Sequence, residues 1–208
     1  MIVLSRALVL SPPAPAFGLN NPIIGWRTAI TAGNITADHE IDGYPASNLG
    51  NPSTALPWRS DDDGEQYLTA VFSDVEAFDY LAVAGHNFGS QAIAFSVEGH
   101  AEPEAEFPTW VELVEEIMPA DDTPLILRFP LQSLAAIRIK MAAGDAPPRA
   151  AVIYAGRLLI MPRRLYVGHT PMPMGRTTVV ASGVSESGNY LGRIVTRSER
   201  STEAAFPH

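Results

Sequence analysis

No cysteine occurs anywhere in the 208 residues. Disulfides, thiolate zinc sites and thiol nucleophiles are excluded together, and the redox compartment is left open. Charge is sparse too: charged residues make up 18% of the chain against 46% apolar residues, a balance unlike that of a disordered polypeptide. No apolar run approaches the roughly 18 residues of a membrane span, so membrane insertion is not expected. The opening stretch MIVLSRALVLSPPAPAFG is broken by Arg6 and by Pro12-Pro13-Ala14-Pro15, and no unbroken apolar segment reaches the length of a secretory signal. HExxH, a Walker loop, a dinucleotide fingerprint and a Gly-x-Ser-x-Gly elbow are all missing. The expectation is a protein that is not an enzyme and needs no cofactor and no metal.

What the chain has is punctuation. Eighteen prolines and sixteen glycines point to many short elements joined by turns. The length fits one large domain or two small ones. Strand signals dominate: GWRTAITAGNIT (25–36), YLTAVF (67–72), YLAVA (80–84), AIAFSVEG (92–99), PLILRF (124–129), AAIRIKMA (135–142) and AAVIYAGRLLIM (150–161). SDVEAFD (73–79) reads as a turn-rich connector. The stretch from Thr109 to Met118, TWVELVEEIM, fits a short capped helix and an alternating strand equally. Seven or eight short strands without intervening helices predict an all-β sandwich.

Charge is unevenly spread. Residues 1–162 carry 20 acidic and 8 basic side chains; residues 163–208 carry 3 acidic and 6 basic, all arginine. A basic tail on an acidic body points to an acidic partner surface. Scattered arginines with so few aromatics make a poor nucleic-acid footprint, and none is expected to bind. Past Pro162 the chain is poor in large apolar residues but holds two alternating runs, TTVVASGV and YLGRIVTRS. Two strands form at most a hairpin, which is marginal alone in water. It must pack on the sandwich or pair with another chain, and lending strands to a neighbour is the favoured outcome. The assembly residues of this arm are Arg163, Arg164, Tyr166, Arg176, Tyr190, Arg193 and Arg197. The organisation expected is an N-terminal extended segment (1–19), a sandwich (20–162) and a C-terminal docking arm (163–208).

One stretch raises a specific question. YPASNLGNPSTALPWRS (44–60) places Trp58 and Arg59 at the end of a loop crowded with turn formers. The indole is either a core-edge plug with its N–H on a carbonyl or an exposed platform for a sugar ring; the first is the commoner arrangement. Asp61, Asp62 and Asp63 follow, readable as a solvated turn or as oxygen ligands for a hard cation, and the turn is favoured. His86 and Asn87 sit at a strand end, where a turn brace is commoner than a site. A glycan-facing loop, if these residues form one, consists of Trp58, Arg59, Asp61, Asp62, His86 and Asn87.

Ser47-Asn48-Leu49, the following turn and Trp58-Arg59-Ser60 resemble the discoidin or coagulation-factor C-type jelly roll of the galactose-binding-like superfamily. FDYLAVAGHNFGS, FSVEGHAEP with FPTWVEL, and LAAIRIKM resemble later pieces of the same plan, together covering about residues 26–160. Gly50-Asn51 stand where that family has an acidic residue. The resemblance implies an antiparallel jelly-roll β-sandwich. A second resemblance, carried by YLAVAGHNFGSQAIAFSVEG, VIYAGRLLIMPRRLYVGHTP and SESGNYLGRIVTR, is to proteins of long-tailed bacteriophages and prophages. It implies a structural component of a tail tip or baseplate in the virion, made in the host cytoplasm and assembled as a homo-oligomeric ring with other tail proteins. Contact with a host-surface glycan through the sandwich would accompany that role. The alternative is a free carbohydrate-binding module or lectin. A glycoside-acting enzyme would require two carboxylates facing across a cleft.

Overall fold

The computed structural model describes residues 9–10, 21–102, 109–161 and 176–201. Among them the only helical element is one 3-10 turn, Ala46–Gly50; the rest of the regular structure is β. The chain forms two compact units. One comprises Ile23–Ile160 with the short strand Val9–Leu10, the other the described residues from Met161 onward with Asn21 and Pro22.

In the first unit the strands are β1 (Val9–Leu10), β2 (Ile23–Ile24), β3 (Ile35–Ala37), β4 (Trp58–Arg59), β5 (Gln66–Ala84), β6 (Phe95–His100), β7 (Val111–Ile117), β8 (Leu125–Met141), β9 (Arg149–Ala150), β10 (Val152–Gly156) and β11 (Leu159–Ile160). The main path runs β10-β5-β8-β6-β7, all antiparallel, with β3 on β5 and the two-residue β1 parallel to β8. β5 and β8 make the sandwich. The first part of β5 pairs Gln66–Val71 with Met141–Ala136 of β8; beyond register shifts between Val71 and Tyr80, its second part pairs Tyr80–Val83 with Arg128–Leu125 and with β10. Each long strand therefore serves both layers, turning the corner through irregular residues, as strands that change sheet do.

Sequence patterning alone divides each of these strands in two. SDVEAFD has the polar composition of a connector, yet Ser73 to Glu76 are an exposed corner and the ladder resumes at Glu76 opposite Leu134. Three other expectations change. The 25–36 run is strand only at its end, Ile35–Ala37; the 150–161 run is divided among β9, β10 and β11; and 109–118 resolves as strand β7.

Alternation accounts for the core. Gln66, Leu68, Ala70 and Phe72 point inward from β5, while Ile137, Ile139 and Met141 meet them from β8. Phe78, Leu81, Val83, Leu127 and Ile153 close the core from the second layer. That layer is buried on both faces: Tyr80, Ala82, Ile126 and Leu158 form a smaller cluster on its outer side, with Ile23 and Ile160 of the β2–β11 pair packed against it. A strand covered on both sides reads as a continuous apolar run, which is why Tyr80 to Val83 show no alternation.

The second unit contains one hairpin, β12 (Arg176–Val184) and β13 (Tyr190–Arg200), closed by a turn in which the Ser185 N–H donates to Asn189 O. Gly188 takes φ +82° there, a left-handed conformation that glycine adopts without a Cβ clash. Register shifts fall at Val179/Val180 and Gly183/Val184.

Candidate binding site

The loop 44–60 is a clasp. After the 3-10 turn, Asn48 Nδ2 donates to Pro57 O at 3.1 Å, tying the two ends of the loop together. A Cβ on Gly50 would land on the backbone of Thr31 and Ala32, so only glycine lets the loop lie that close. Trp58 is fully buried, and its Nε1–H donates to His39 O at 3.1 Å. Its ring is core, and it offers no open face to a sugar. Arg59 lays its guanidinium 4.3 Å from the Tyr44 ring centroid, a cation–π contact that fixes the loop from outside.

The remaining members of the expected glycan-facing loop are braces as well. Asp61 Oδ1 lies 3.3 Å from His39 Nδ1, and Asp62 Oδ2 lies 3.8 Å from His39 Nε2. Among the described residues no group of three or more His, Asp or Glu side chains is placed to hold a metal ion. His86 is buried: Nε2 donates to Thr123 O at 2.9 Å and Nδ1 accepts the Phe88 N–H at 3.3 Å, a pair of bonds that requires the neutral ring. Burial also holds its pKa below the ordinary histidine value. Asn87 donates to Pro147 O and accepts from the Arg149 N–H, stitching the 85–90 turn to the entry of β9. Gly85 permits that turn with φ +68° and with Ala151 too close to admit a Cβ.

A different place on the sandwich has the shape and chemistry of a site. Trp26 is 61% exposed and stands at the mouth of a groove of about 490 Å³ with Arg27, Glu76, Arg157 and Leu159. A second open hollow of about 700 Å³, lined by Thr31, Asn34, Val71 and Ser73, shares Ala29 and Glu76 with the first, so the two adjoin at those residues. The frame is rigid. The Tyr80 hydroxyl donates to Arg27 O at 2.5 Å, and a Cβ on Gly25 would stand 2.9 Å from the Tyr80 ring. The Ala29 N–H donates to Ala155 O, and Thr28 Oγ1 accepts from Ala155. On the other wall Asp79 Oδ1 accepts the Leu158 N–H at 2.7 Å, which positions Arg157. Burial raises the Asp79 pKa and pushes the Tyr80 phenol up to about 12, so that phenol stays a donor at neutral pH. Arg27, Arg157 and Glu76 are exposed, and among the described residues none of them is in an ion pair. An indole face, two guanidiniums and one carboxylate around a groove can stack on a pyranose ring and hydrogen-bond its hydroxyls.

No protein-family model matches the chain, and no curated protein matches it. Solved structures do. Chitosan-binding module 1 from the chitosanase/glucanase of Paenibacillus sp. IK-5 superposes with a TM-score of 0.55 at 11% identity, over 64% of this chain and 100% of that one. The module CpGH89CBM32-5 from Clostridium perfringens, in complex with GalNAc-β-1,3-galactose, gives 0.51 at 11% identity over 61% of this chain and 97% of that one. Chitosan-binding module 2 of the same Paenibacillus enzyme, in complex with chitotriose, gives 0.50 at 10% identity over 59% and 95%. The fold is an antiparallel jelly-roll β-sandwich, similar to that of these modules. At such identities the likeness concerns the fold alone.

Trp26 is not marked out by the sequence, because it lies inside the alternating run 25–36, where an aromatic looks like one more strand residue. The weak signal was Gly25 before it and Arg27 after it, a small residue and a cation flanking an aromatic. Of the arm residues, Arg176, Tyr190, Arg193 and Arg197 lie on the exposed hairpin; Arg163, Arg164 and Tyr166 fall outside the described residues.

Proposed function

We propose that this chain is a non-catalytic carbohydrate-binding protein whose sandwich holds a glycan in the Trp26 groove. One observation carries the proposal: a tryptophan 61% exposed, flanked by exposed Arg27, Arg157 and Glu76, none of them in an ion pair among the described residues, on a frame whose backbone is pinned by Tyr80 and Asp79. The jelly-roll neighbours, two of them in complex with sugars, support the class. Two guanidiniums against one carboxylate favour a glycan bearing a carboxylate over one bearing an amine. Hydrolysis is disfavoured because Glu76 is the sole carboxylate among the described lining residues, and glycoside cleavage requires two. Calorimetric titration with uronate-containing and amino-sugar oligosaccharides tests this. The uronate should bind, and Trp26→Ala should weaken binding at least about tenfold, the equivalent of about 1.4 kcal/mol. An array of neutral, acidic and amino glycans with no ligand for the intact chain would rule the proposal out.

A second reading is favoured by the exposed hairpin: a structural subunit of a bacteriophage tail tip or baseplate, in the virion, anchored through its arm. Its support is the resemblance of the motifs at 80–99, 152–171 and 185–197 and the need of the hairpin for a partner. Deleting residues 163–208 should abolish incorporation into such an assembly; full incorporation of the shortened chain would end this reading.

A further inference from the structure

At Ala29 and Glu76 the Trp26 groove meets the second hollow, and the same two chain segments line both. On one wall Trp26 and Arg27 belong to the first hollow, Ala29 to both, and Thr31, Asn34 and Thr36 to the second. On the other wall Ala77 belongs to the first, Glu76 to both, and Val71 and Ser73 to the second. Residue order is kept along each wall, so the hollows follow one another between the two segments. The segments are joined in the second hollow: the Val71 N–H donates to Asn34 O at 2.9 Å, and Ile35 pairs with Ala70. Asn34 also holds its own wall in shape. Its Oδ1 accepts the Thr31 N–H at 2.8 Å, and its Nδ2 donates to Ala29 O at 2.9 Å.

The two hollows differ in chemistry. The first carries the indole, Arg27 and Arg157. The second has no charged side chain among its described lining residues except the shared Glu76. It presents the exposed residues Thr31, Thr36 and Ser73, each with a hydroxyl, and a Val71 that is 54% exposed. At about 490 and 700 Å³ both lie in the range of small-ligand sites, so each has room for a group of its own. Hydroxyls beside an aliphatic surface suit the hydroxyls and C–H face of a neutral sugar. A carboxylate there would lose water without meeting a cation, and would stand beside the Glu76 carboxylate.

We infer that the ligand is an oligosaccharide of mixed charge, with one carboxylate-bearing residue at the Trp26 end and neutral residues continuing past Glu76 into the second hollow. Glu76 sets the specificity at the junction. It accepts a hydrogen bond from the hydroxyl of a neutral sugar and repels a second carboxylate, so a polymer charged at every residue is selected against. The inference rests on the glycan reading and adds to it the length and the charge pattern of the ligand.

Calorimetric titration of the full chain tests it with three compounds, each in gluco and galacto configuration. They are the methyl glycoside of a uronate, a tetrasaccharide of three neutral hexoses with one uronate at either end, and a tetrasaccharide of four uronates. The mixed tetrasaccharide should bind at least about tenfold more tightly than the methyl glycoside. The all-uronate compound should gain no more than about fourfold, from offering four equivalent carboxylates. Val71→Asp should collapse the ratio between mixed tetrasaccharide and methyl glycoside toward one. Glu76→Gln should raise the affinity for the all-uronate compound at least about threefold, by removing the repulsion. Circular dichroism verifies that both variants are folded. A methyl glycoside that binds without gain from the neutral extension, or with equal gain from the charged one, would overturn the inference and leave the glycan reading standing. So would a length gain untouched by Val71→Asp, or an all-uronate affinity unmoved by Glu76→Gln. Failure of every compound to bind would remove both.

Discussion

Two tryptophans show how differently one residue type can be used. Trp58 is walled in by the core, with its indole N–H on His39 O; Trp26 stands in solvent beside a groove. Trp58→Ala should cost about 3–5 kcal/mol in chemical denaturation, the range for emptying a buried aromatic site. Trp58→Phe should cost less, with the loss of one hydrogen bond of about 1 kcal/mol as its main component. Trp26→Ala should change stability by no more than about 0.5 kcal/mol, as exposed positions do. His86 adds a pH dependence. Its pKa is depressed by burial in the folded state, so the unfolded chain takes up the proton first on acidification. The stability contributed by the neutral ring is whole above the ordinary value of 6.5 and declines as pH falls from there through the folded value. Thermal melts between pH 7 and 5 should show that decline in the wild type and a flatter profile in His86→Gln. The plug role of Trp58 was legible from its turn-rich surroundings. The openness of Trp26 was not, because an exposed and a buried tryptophan in an alternating run have the same local sequence.

At the scale of elements, alternation located the longer strands, overextended the 25–36 run and failed where bulges intervene. β5 and β8 each looked like two strands, since a corner needs exposed, irregular residues such as Ser73 to Val75, and those imitate a turn. Whether the ladder resumes is decided by the partner strand, which local sequence does not contain. TWVELVEEIM was undecidable for a similar reason: its one buried strand residue, Val114, is inward because β6 lies beside it. The main core runs from Ile30 to Ala155, entirely within the first unit. A chain ending at Met161 should therefore unfold in a single cooperative transition, with a melting temperature within a few degrees of that of the full protein. A large loss would show that the arm completes the core.

At the scale of the whole molecule, the chain joins an acidic sandwich, similar in fold to carbohydrate-binding modules, to an arginine-bearing hairpin with exposed apolar side chains. The fold was legible from ordered fragments such as Ser47-Asn48-Leu49 with Trp58, each with a structural reason to be there: a loop tie, a core plug, a paired strand. The groove was not, since Trp26, Glu76 and Arg157 meet only through the closure of β5, β10 and β11. The most direct measurement is a nitrogen-edited NMR titration of the full chain with uronate oligosaccharides, following the three indole N–H resonances. Saturable movement of the Trp26 signal, absent in Trp26→Ala, with the Trp58 signal unmoved, is the predicted result. No movement with any oligosaccharide, or a response that persists without the Trp26 ring, would contradict the account.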